Sequence, residues 1–148
     1  MHLRARGQSD GYEVRVVSQR QGAVRSDTLM SLEATHTLAG LEAAGMGCTV
    51  DVGGSRHIEQ VLGGSAELVA WLGRVAPRVQ RLIALCSSSF FLAEAGLLDG
   101  RRAATHWSVT AQLSQRYPHV QVDADAIYLR EEIRDGAGSR QLLSLIHI

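Results

Sequence analysis

Short apolar runs along the chain have the length and spacing of β-strands. Residues 82–86 (LIALC) are an apolar run typical of a fully buried strand, and residues 48–52 (CTVDV) also have the pattern of a strand. Residues 12–19 alternate apolar and polar side chains, which also predicts a strand, and residues 24–34 give a weaker extended signal. The pattern therefore predicts several strands, one of them fully buried.

A longer segment behind Ser65 has the spacing of an amphipathic helix. Ser65 is the predicted N-cap, and Pro77 is expected to end the helix near Val75, because proline lacks the N–H that a helix interior needs. The apolar residues predicted to share one face of this helix are Leu68, Val69, Leu72 and Val75.

The rest of the chain continues the alternation of strands and helices. Strands alternating with helices of about ten residues predict crossover connections on a mostly parallel sheet, and so an α/β fold. The further predicted elements are a short helical connection at 37–47, a helix at 87–96, a strand at 103–107, a helix at 108–117 before Pro118, and one or two strands within 120–131.

Composition narrows the classes of protein that fit this pattern. The chain has 148 residues, 45% of them hydrophobic, which suits one domain with a substantial core. Its 15 basic and 15 acidic residues give a formal net charge of zero, so no single-sign field attracts nucleic acid or an anionic membrane. The basic start has no apolar segment behind it, and no apolar run approaches the roughly 18 residues of a membrane span. We predict a soluble, cytoplasmic protein without membrane contact.

The two cysteines are predicted to be reduced. Cys48 is the first residue of the strand predicted at 48–52, and Cys86 is the last residue of the strand predicted at 82–86. If the strands are parallel neighbours, the thiols lie about four residue rises of ~3.3 Å apart, beyond the ~7 Å limit for a disulfide.

Cys86 stands where a strand turns into a helix. In an open α/β sheet, ligands bind outside the carboxyl ends of the strands, and the amide groups of a helix N-terminus stabilise a thiolate there. Gly53 and Gly54 follow the neighbouring strand, so their amides and that of Ser87 could hold a developing negative charge. His106 ends the next strand and could act as a base or as the thiolate's partner.

Each of these residues also has a structural interpretation. A packed thiol, a hydrogen-bonded structural histidine and a plain glycine turn need no ligand. Asp123 and Asp125 fit a solvated face better than a metal site, and neither a cofactor nor a metal is expected. The remaining residues of ligand type show no ligand spacing: His36, His57, His119 and Cys48.

The chain resembles the ThiJ/PfpI (class I glutamine amidotransferase-like) domain. The segments that carry the resemblance are "C...FFLAEAGLLDGRRAATHW" and "QRYPHVQVDADAIYLRE", with Gly53 and Gly54 upstream. They are most similar to the version at the N-terminus of GlxA-type, AraC-family transcriptional regulators. The similarity extends from Tyr12 to about Glu131.

The resemblance implies a flavodoxin-like, three-layer α/β sandwich with a mostly parallel sheet. It matches the family's nucleophile-elbow cysteine to Cys86, its histidine to His106 and its paired glycines to Gly53 and Gly54. The family's cysteine is usually followed by Thr-Gly-Ala-Phe, whereas three serines stand between Cys86 and Phe90 here, which puts the elbow geometry in doubt. The family's first strand with its acidic residue, and its closing "TSAG" segment with a long helix, have no counterpart.

We therefore expect a domain fragment that is incomplete at both ends. The expected organisation is a lead-in at 1–11, a partial domain at 12–135 and a non-native tail at 136–148 that adds no strand. The final "LSLIHI" matches one translation of a common sequencing adapter, the alternative being a frayed natural tail. An incomplete sheet exposes strand edges and apolar surface, so we expect marginal stability and association.

Three functions remain open for such a fragment. The first is a ligand-sensing or dimerising domain of an AraC-family regulator, with a small-molecule effector near Cys86, a homodimeric full-length protein, and DNA contact through a missing C-terminal segment. The second is a cysteine-dependent enzyme of the superfamily, such as an isonitrile hydratase or a PfpI-like hydrolase. The third is a degenerate domain that serves dimer contacts alone. Replacing the usual Thr-Gly-Ala by three serines favours the two non-catalytic functions.

Overall fold

A computed structural model describes residues 13–26, 29–43, 48–135 and 138–145. The chain divides into two compact units, Met1–Leu41 and Glu42–Ile148. The lead-in predicted at 1–11 lies outside the described residues.

The first unit is built from short strands. One parallel pair and one antiparallel hairpin account for them. Val14 is 84% exposed, so the alternation at 12–19 corresponds to no buried face, and only two of these residues form a strand. Leu32, with Leu29 and Met30 before it, is also exposed. The elements are β1 (Val17–Ser18), β2 (Gly22–Arg25), β3 (Ser31–Ala34), β4 (His36–Thr37) and α1 (Leu38–Ala43), which continues into the second unit.

The second unit is organised around a four-stranded mixed sheet in the order β5-β6-β10-β9. Both neighbours of β6 run parallel to it, and β9 runs antiparallel to β10. A separate parallel pair joins β7 to β8. The predicted α/β class with a mostly parallel sheet is confirmed. The strands are β5 (Thr49–Val52), β6 (Arg81–Leu85), β7 (Arg102–Ala103), β8 (Gln121–Val122), β9 (Tyr128–Asp135) and β10 (Gly138–Leu145).

Among the residues that the structure describes in this unit, four helices lie between these strands. The helix behind Ser65 ends at Val75, before Pro77, as predicted, and its buried residues include Leu72 and Trp71. Ser65 precedes the helix but does not cap it with its side chain, because its hydroxyl donates to the carbonyl of Val61 at 2.6 Å. The helices are α2 (Ile58–Gly63), α3 (Ala66–Val75), α4 (Ser89–Glu94) and α5 (Thr110–Arg116).

The core of the second unit lies around α4, the helix that follows Cys86. Phe90 and Leu92 of α4 are completely buried, as are Leu72 of α3 and Leu113 of α5. Burial of such side chains is the main favourable term in folding, so the start of α4 is fixed by its packing.

The expectation that residues 136–148 add no strand is wrong for the part that the structure describes. β10 lies between β6 and β9, with Leu142 opposite Leu82 and Ser144 opposite Ala84. Leu142 and Ser144 point to the same side of the strand and are both buried, so the alternation in this segment is that of a half-buried strand. Whether this tail is native stays a prediction, and residues 136–137 and 146–148 lie outside the described residues.

No helix in the described parts of the chain combines the length and the apolar character that crossing a bilayer requires.

Candidate functional site

Cys86 occupies a strained turn between β6 and α4. Its φ angle is +54°, in the left-handed region that residues with a Cβ rarely adopt. A 3-10 turn, Cys86–Ser88, leads directly into α4 at Ser89. A sharp strand-to-helix turn therefore forms without the glycine that the resemblance led us to expect.

Hydroxyl groups of the following serines fix this turn. Ser88 Oγ donates to the carbonyl of Leu85 at 2.8 Å. Ser87 Oγ donates to the carbonyl of Ser55 at 2.7 Å and accepts from the Ser55 N–H at 2.9 Å. Ser87 and Ser88 are buried, so these bonds form where water does not compete. They attach the turn to the last residue of β6 and to the loop after β5.

Thr105 reaches the same turn from the loop after β7. Its hydroxyl donates to the carbonyl of Cys86 at 3.1 Å and lies 2.8 Å from Ser89 Oγ. The amide of the preceding Ala104 donates to Ser144 Oγ of β10 at 2.9 Å, which holds this loop against the sheet.

The two glycines predicted as a pair have different surroundings. A Cβ at Gly54 would lie 2.8 Å from Ser87 Oγ and 2.9 Å from the carbonyl oxygen of Leu85, whereas one at Gly53 would meet nothing within 4 Å. Gly54 is therefore required by the close approach of the two turns. Gly53 borders open space beside the same edge.

His106 follows Thr105 at the carboxyl edge. Its Nδ1 accepts from the Ser108 N–H at 3.3 Å and lies 2.7 Å from Ser108 Oγ, which leaves the proton of the neutral ring on Nε2. The ring lies against Trp107, with centroids 5.1 Å apart, and Trp107 is 74% exposed. The edge thus combines a cysteine, an imidazole and an exposed indole.

Asp123 has a structural role in the turn directly after β8. Its carboxylate accepts from the N–H groups of Asp125 and Ala126, both at 3.1 Å, and pairs with Arg102 at 2.5 Å. The Arg102 guanidinium, with the turn's N–H donors, lowers the pKa of Asp123 below its ordinary value. In the described part of the chain no group of three metal-ligand side chains is close enough to hold a metal ion.

Both cysteines are outside any disulfide, and the parallel pairing of β5 with β6 puts them at opposite ends of these strands, as predicted.

The contacts of Ser55 and Thr105 with this turn, and those of Ser88 and Ser89, were not predicted from the sequence. The available signal was their position, because serine and threonine side chains beside a turn commonly bond to its backbone.

The model of the DJ-1/PfpI family matches residues 2–136 of this sequence. The chain belongs to the DJ-1/PfpI family. The resemblance to ThiJ/PfpI domains is thereby confirmed, and Cys86 is the residue that stands at the strand-to-helix turn of this DJ-1/PfpI domain.

Curated relatives include both a short protein and long regulators. An uncharacterized protein in the cpoL 5' region of Streptomyces lividans is 36% identical over 111 residues, which are 72% of this chain and 73% of that protein. The HTH-type transcriptional regulator CdhR of Pseudomonas aeruginosa is 32% identical over 114 residues, 77% of this chain. The match spans only 32% of the length of CdhR.

Solved structures of the family share the fold. A ThiJ/PfpI family protein from Pseudomonas syringae superposes with a TM-score of 0.71 at 21% identity, covering 92% of this chain and 51% of that one. An AraC family transcriptional regulator from Pseudomonas putida gives a TM-score of 0.64 at 22% identity, covering 93% of this chain and 67% of that one. The DJ-1/PfpI domain therefore resembles domains found in transcriptional regulators as well as in other proteins.

Proposed function

We propose that this DJ-1/PfpI domain is a ligand-sensing or dimerising part of a cytoplasmic AraC-family transcriptional regulator. The observation that carries the proposal is the 32% identity to CdhR over 114 residues, a match that takes up only part of that regulator. In this proposal, DNA is bound by a segment outside the present sequence. The net charge of zero supports that division, since a DNA-binding surface needs an excess of basic residues.

The proposed effector site is the carboxyl edge around Cys86. Gly53 borders open space, Gly54 and Ser87 bring backbone amides to the turn, and His106 and Trp107 flank it with a hydrogen-bonding ring and an apolar surface. A few polar groups beside apolar surface are typical of small-molecule sites. We expect a small polar effector that accepts hydrogen bonds from the amides and packs against Trp107.

A cysteine-dependent enzyme is the second candidate, and the left-handed backbone of Cys86 favours it. In a hydratase acting on an isonitrile, His106 would take the proton of the Cys86 thiol, the thiolate would form a bond to the isonitrile carbon, and that carbon would receive the proton to give a thioimidate. Water would then add to the same carbon while one of its protons goes to the nitrogen. The carbon–sulfur bond would break, and a formamide and the thiol would be released. Atoms and electrons balance without an oxidant or reductant.

A thermal-shift screen tests the sensing function. A bound ligand raises the melting temperature because it stabilises the folded state alone. We expect at least one class among small carboxylates, amides and amines to raise the melting temperature of the wild type but not of His106→Ala. Arg81→Ala, at the opposite end of β6, is the matched control and should keep the shift.

Incubation with an alkyl isonitrile separates the two candidates. The sensing function predicts no formamide by NMR. Formamide produced by the wild type but not by Cys86→Ala would establish the enzyme instead.

A further inference from the structure

We propose that Thr105 is a positioning residue for Cys86 and that Ser89 orients Thr105 for this task. This proposal rests on the proposed function, in which the edge at Cys86 is the site. The side chains involved lie beneath that edge, and the sequence pattern gives them no assignment.

The hydroxyl groups of Ser89 and Thr105 form a directed chain to the Cys86 carbonyl. Thr105 Oγ1 lies 3.1 Å from the Cys86 oxygen, which can only accept, so Thr105 donates there. Its single proton is then used, and it accepts from Ser89 Oγ at 2.8 Å. Ser89 Oγ is 3.4 Å from the Cys86 oxygen, so Thr105 is the better placed donor to that carbonyl.

Both hydroxyl groups are withdrawn from water. Ser89 is 0% exposed and Thr105 is 1% exposed. Hydrogen bonds in a chain polarise one another, and a buried acceptor that loses its donor is costly. The pair therefore holds the Cys86 carbonyl more firmly than a solvent-exposed contact could.

A fixed carbonyl matters at Cys86 because its backbone is strained. With φ at +54°, relaxation to an ordinary conformation would rotate the adjoining peptide group and change the direction of the side chain. The bond from Thr105 opposes that rotation. Thr105 thereby keeps the thiol presented at the carboxyl edge.

Thr105 also links the cysteine to the histidine. Its side chain holds the Cys86 carbonyl, while its backbone continues directly into His106. One buried residue therefore bonds to the backbone of Cys86 and directly precedes His106 in the chain.

Alkylation kinetics test this positioning role on the chain without any ligand. The rates at which iodoacetamide modifies Cys86 and Cys48 are measured separately by peptide mass spectrometry, with circular dichroism to monitor folding. Thr105→Val keeps the shape and removes the hydroxyl, Thr105→Ser restores the hydroxyl, and Ser89→Ala removes the orienting donor.

We expect Thr105→Val to slow Cys86 alkylation about fivefold, the equivalent of one hydrogen bond, with the Cys48 rate unchanged. Thr105→Ser should return the Cys86 rate to within about twofold of the wild type, since the hydroxyl is restored. Ser89→Ala should slow it by less than Thr105→Val does.

A Cys86 rate unchanged in folded Thr105→Val, or a Thr105→Ser variant as slow as Thr105→Val, would overturn the positioning role. If Thr105→Val does not fold, the rates at both cysteines rise together, and Ser89→Ala decides: slower Cys86 alkylation supports the role and an unchanged rate overturns it. A thermal-shift screen that finds no effector would remove the sensing function and leave this result intact.

Discussion

At the scale of single residues, the candidate site is centred on a cysteine held in a conformation that its side chain disfavours. Cys86 has φ +54°, and among the described residues Leu29 is the other non-glycine residue with positive φ. The Ser88 hydroxyl donates to the carbonyl of Leu85, and the Thr105 hydroxyl donates to the carbonyl of Cys86. Side-chain hydrogen bonds thus maintain a geometry for which glycine would be the ordinary choice.

This strain predicts that Cys86→Gly is more stable than Cys86→Ala. Glycine adopts positive φ without a steric penalty, whereas an L-residue with a Cβ loses roughly 1 kcal/mol there. Urea denaturation of both variants should show the higher midpoint for glycine. At Cys48, whose φ is not positive, the same pair of substitutions should give no advantage to glycine. Equal midpoints for the two Cys86 variants would show that the turn is unstrained.

The close approach at Gly54 predicts different results for two adjacent glycines. A Cβ at Gly54 would lie 2.9 Å from a backbone carbonyl oxygen, so Gly54→Ala should cost about 1–3 kcal/mol of unfolding free energy. Gly53→Ala, with nothing within 4 Å, should stay within about 0.5 kcal/mol of the wild type. Urea denaturation measures both, and equal losses would contradict the packing described here.

At the scale of elements, α4 and α5 are joined by a cluster around Tyr117. The Tyr117 ring meets Phe90 edge-on, with centroids 6.0 Å apart, and its hydroxyl donates to the Glu94 carboxylate. Burial, together with this bond to Glu94, raises the pKa of Tyr117 to about 12. The protonated phenol is therefore favoured in the folded state.

The raised pKa predicts an alkaline loss of stability. Because the folded pKa lies above the unfolded value of about 10, the contribution of Tyr117 is complete below pH 10 and is lost as the pH rises toward 12. The chain contains no lysine, so this range is free of lysine titration. Urea midpoints from pH 9 to 11.5 should fall less steeply for Tyr117→Phe than for the wild type. A slope for Tyr117→Phe equal to that of the wild type would exclude the role of Tyr117.

Sequence patterns predicted the elements wherever burial and periodicity agree. The strand at residues 81–85 and the helix ending at Val75 were predicted to within a residue because each buries a continuous apolar face. β10 was missed because its eight residues gain their burial only by lying between two other strands, a non-local contact that periodicity does not report. α2 was missed because its six residues are too few for a clear helical repeat.

The position of the candidate site was predictable from the sequence, but the hydrogen bonds that hold Cys86 in its conformation were not. An apolar strand ending at Cys86, followed by a helix, was enough to place the thiol at the carboxyl edge. The bonds from Thr105 and Ser89 depend on how a distant loop packs against α4, and the left-handed φ is a result of that packing. The three serines after the cysteine predict against an elbow, yet the hydroxyl groups of Ser88 and Ser89 bond within the turn.

At the scale of the whole chain, this DJ-1/PfpI domain is similar in sequence to part of a much longer transcriptional regulator. The chain covers about a third of CdhR and about half of the Pseudomonas syringae protein of the same fold. The short Streptomyces lividans relative, of which the match covers 73%, shows that similar sequence also occurs in a protein of comparable length. The proposed regulator therefore depends on what the gene encodes beyond this sequence.

Sequencing the source locus across both ends of this reading frame shows whether the gene encodes such a regulator. The sensing function predicts that the frame continues beyond Arg140 through the end of this domain and into a segment with helix-turn-helix patterns, with codons other than those of "LSLIHI" at the junction. A frame that stops soon after the domain closes, with an upstream strand that supplies a carboxylate, would contradict the regulator and favour the cysteine-dependent enzyme.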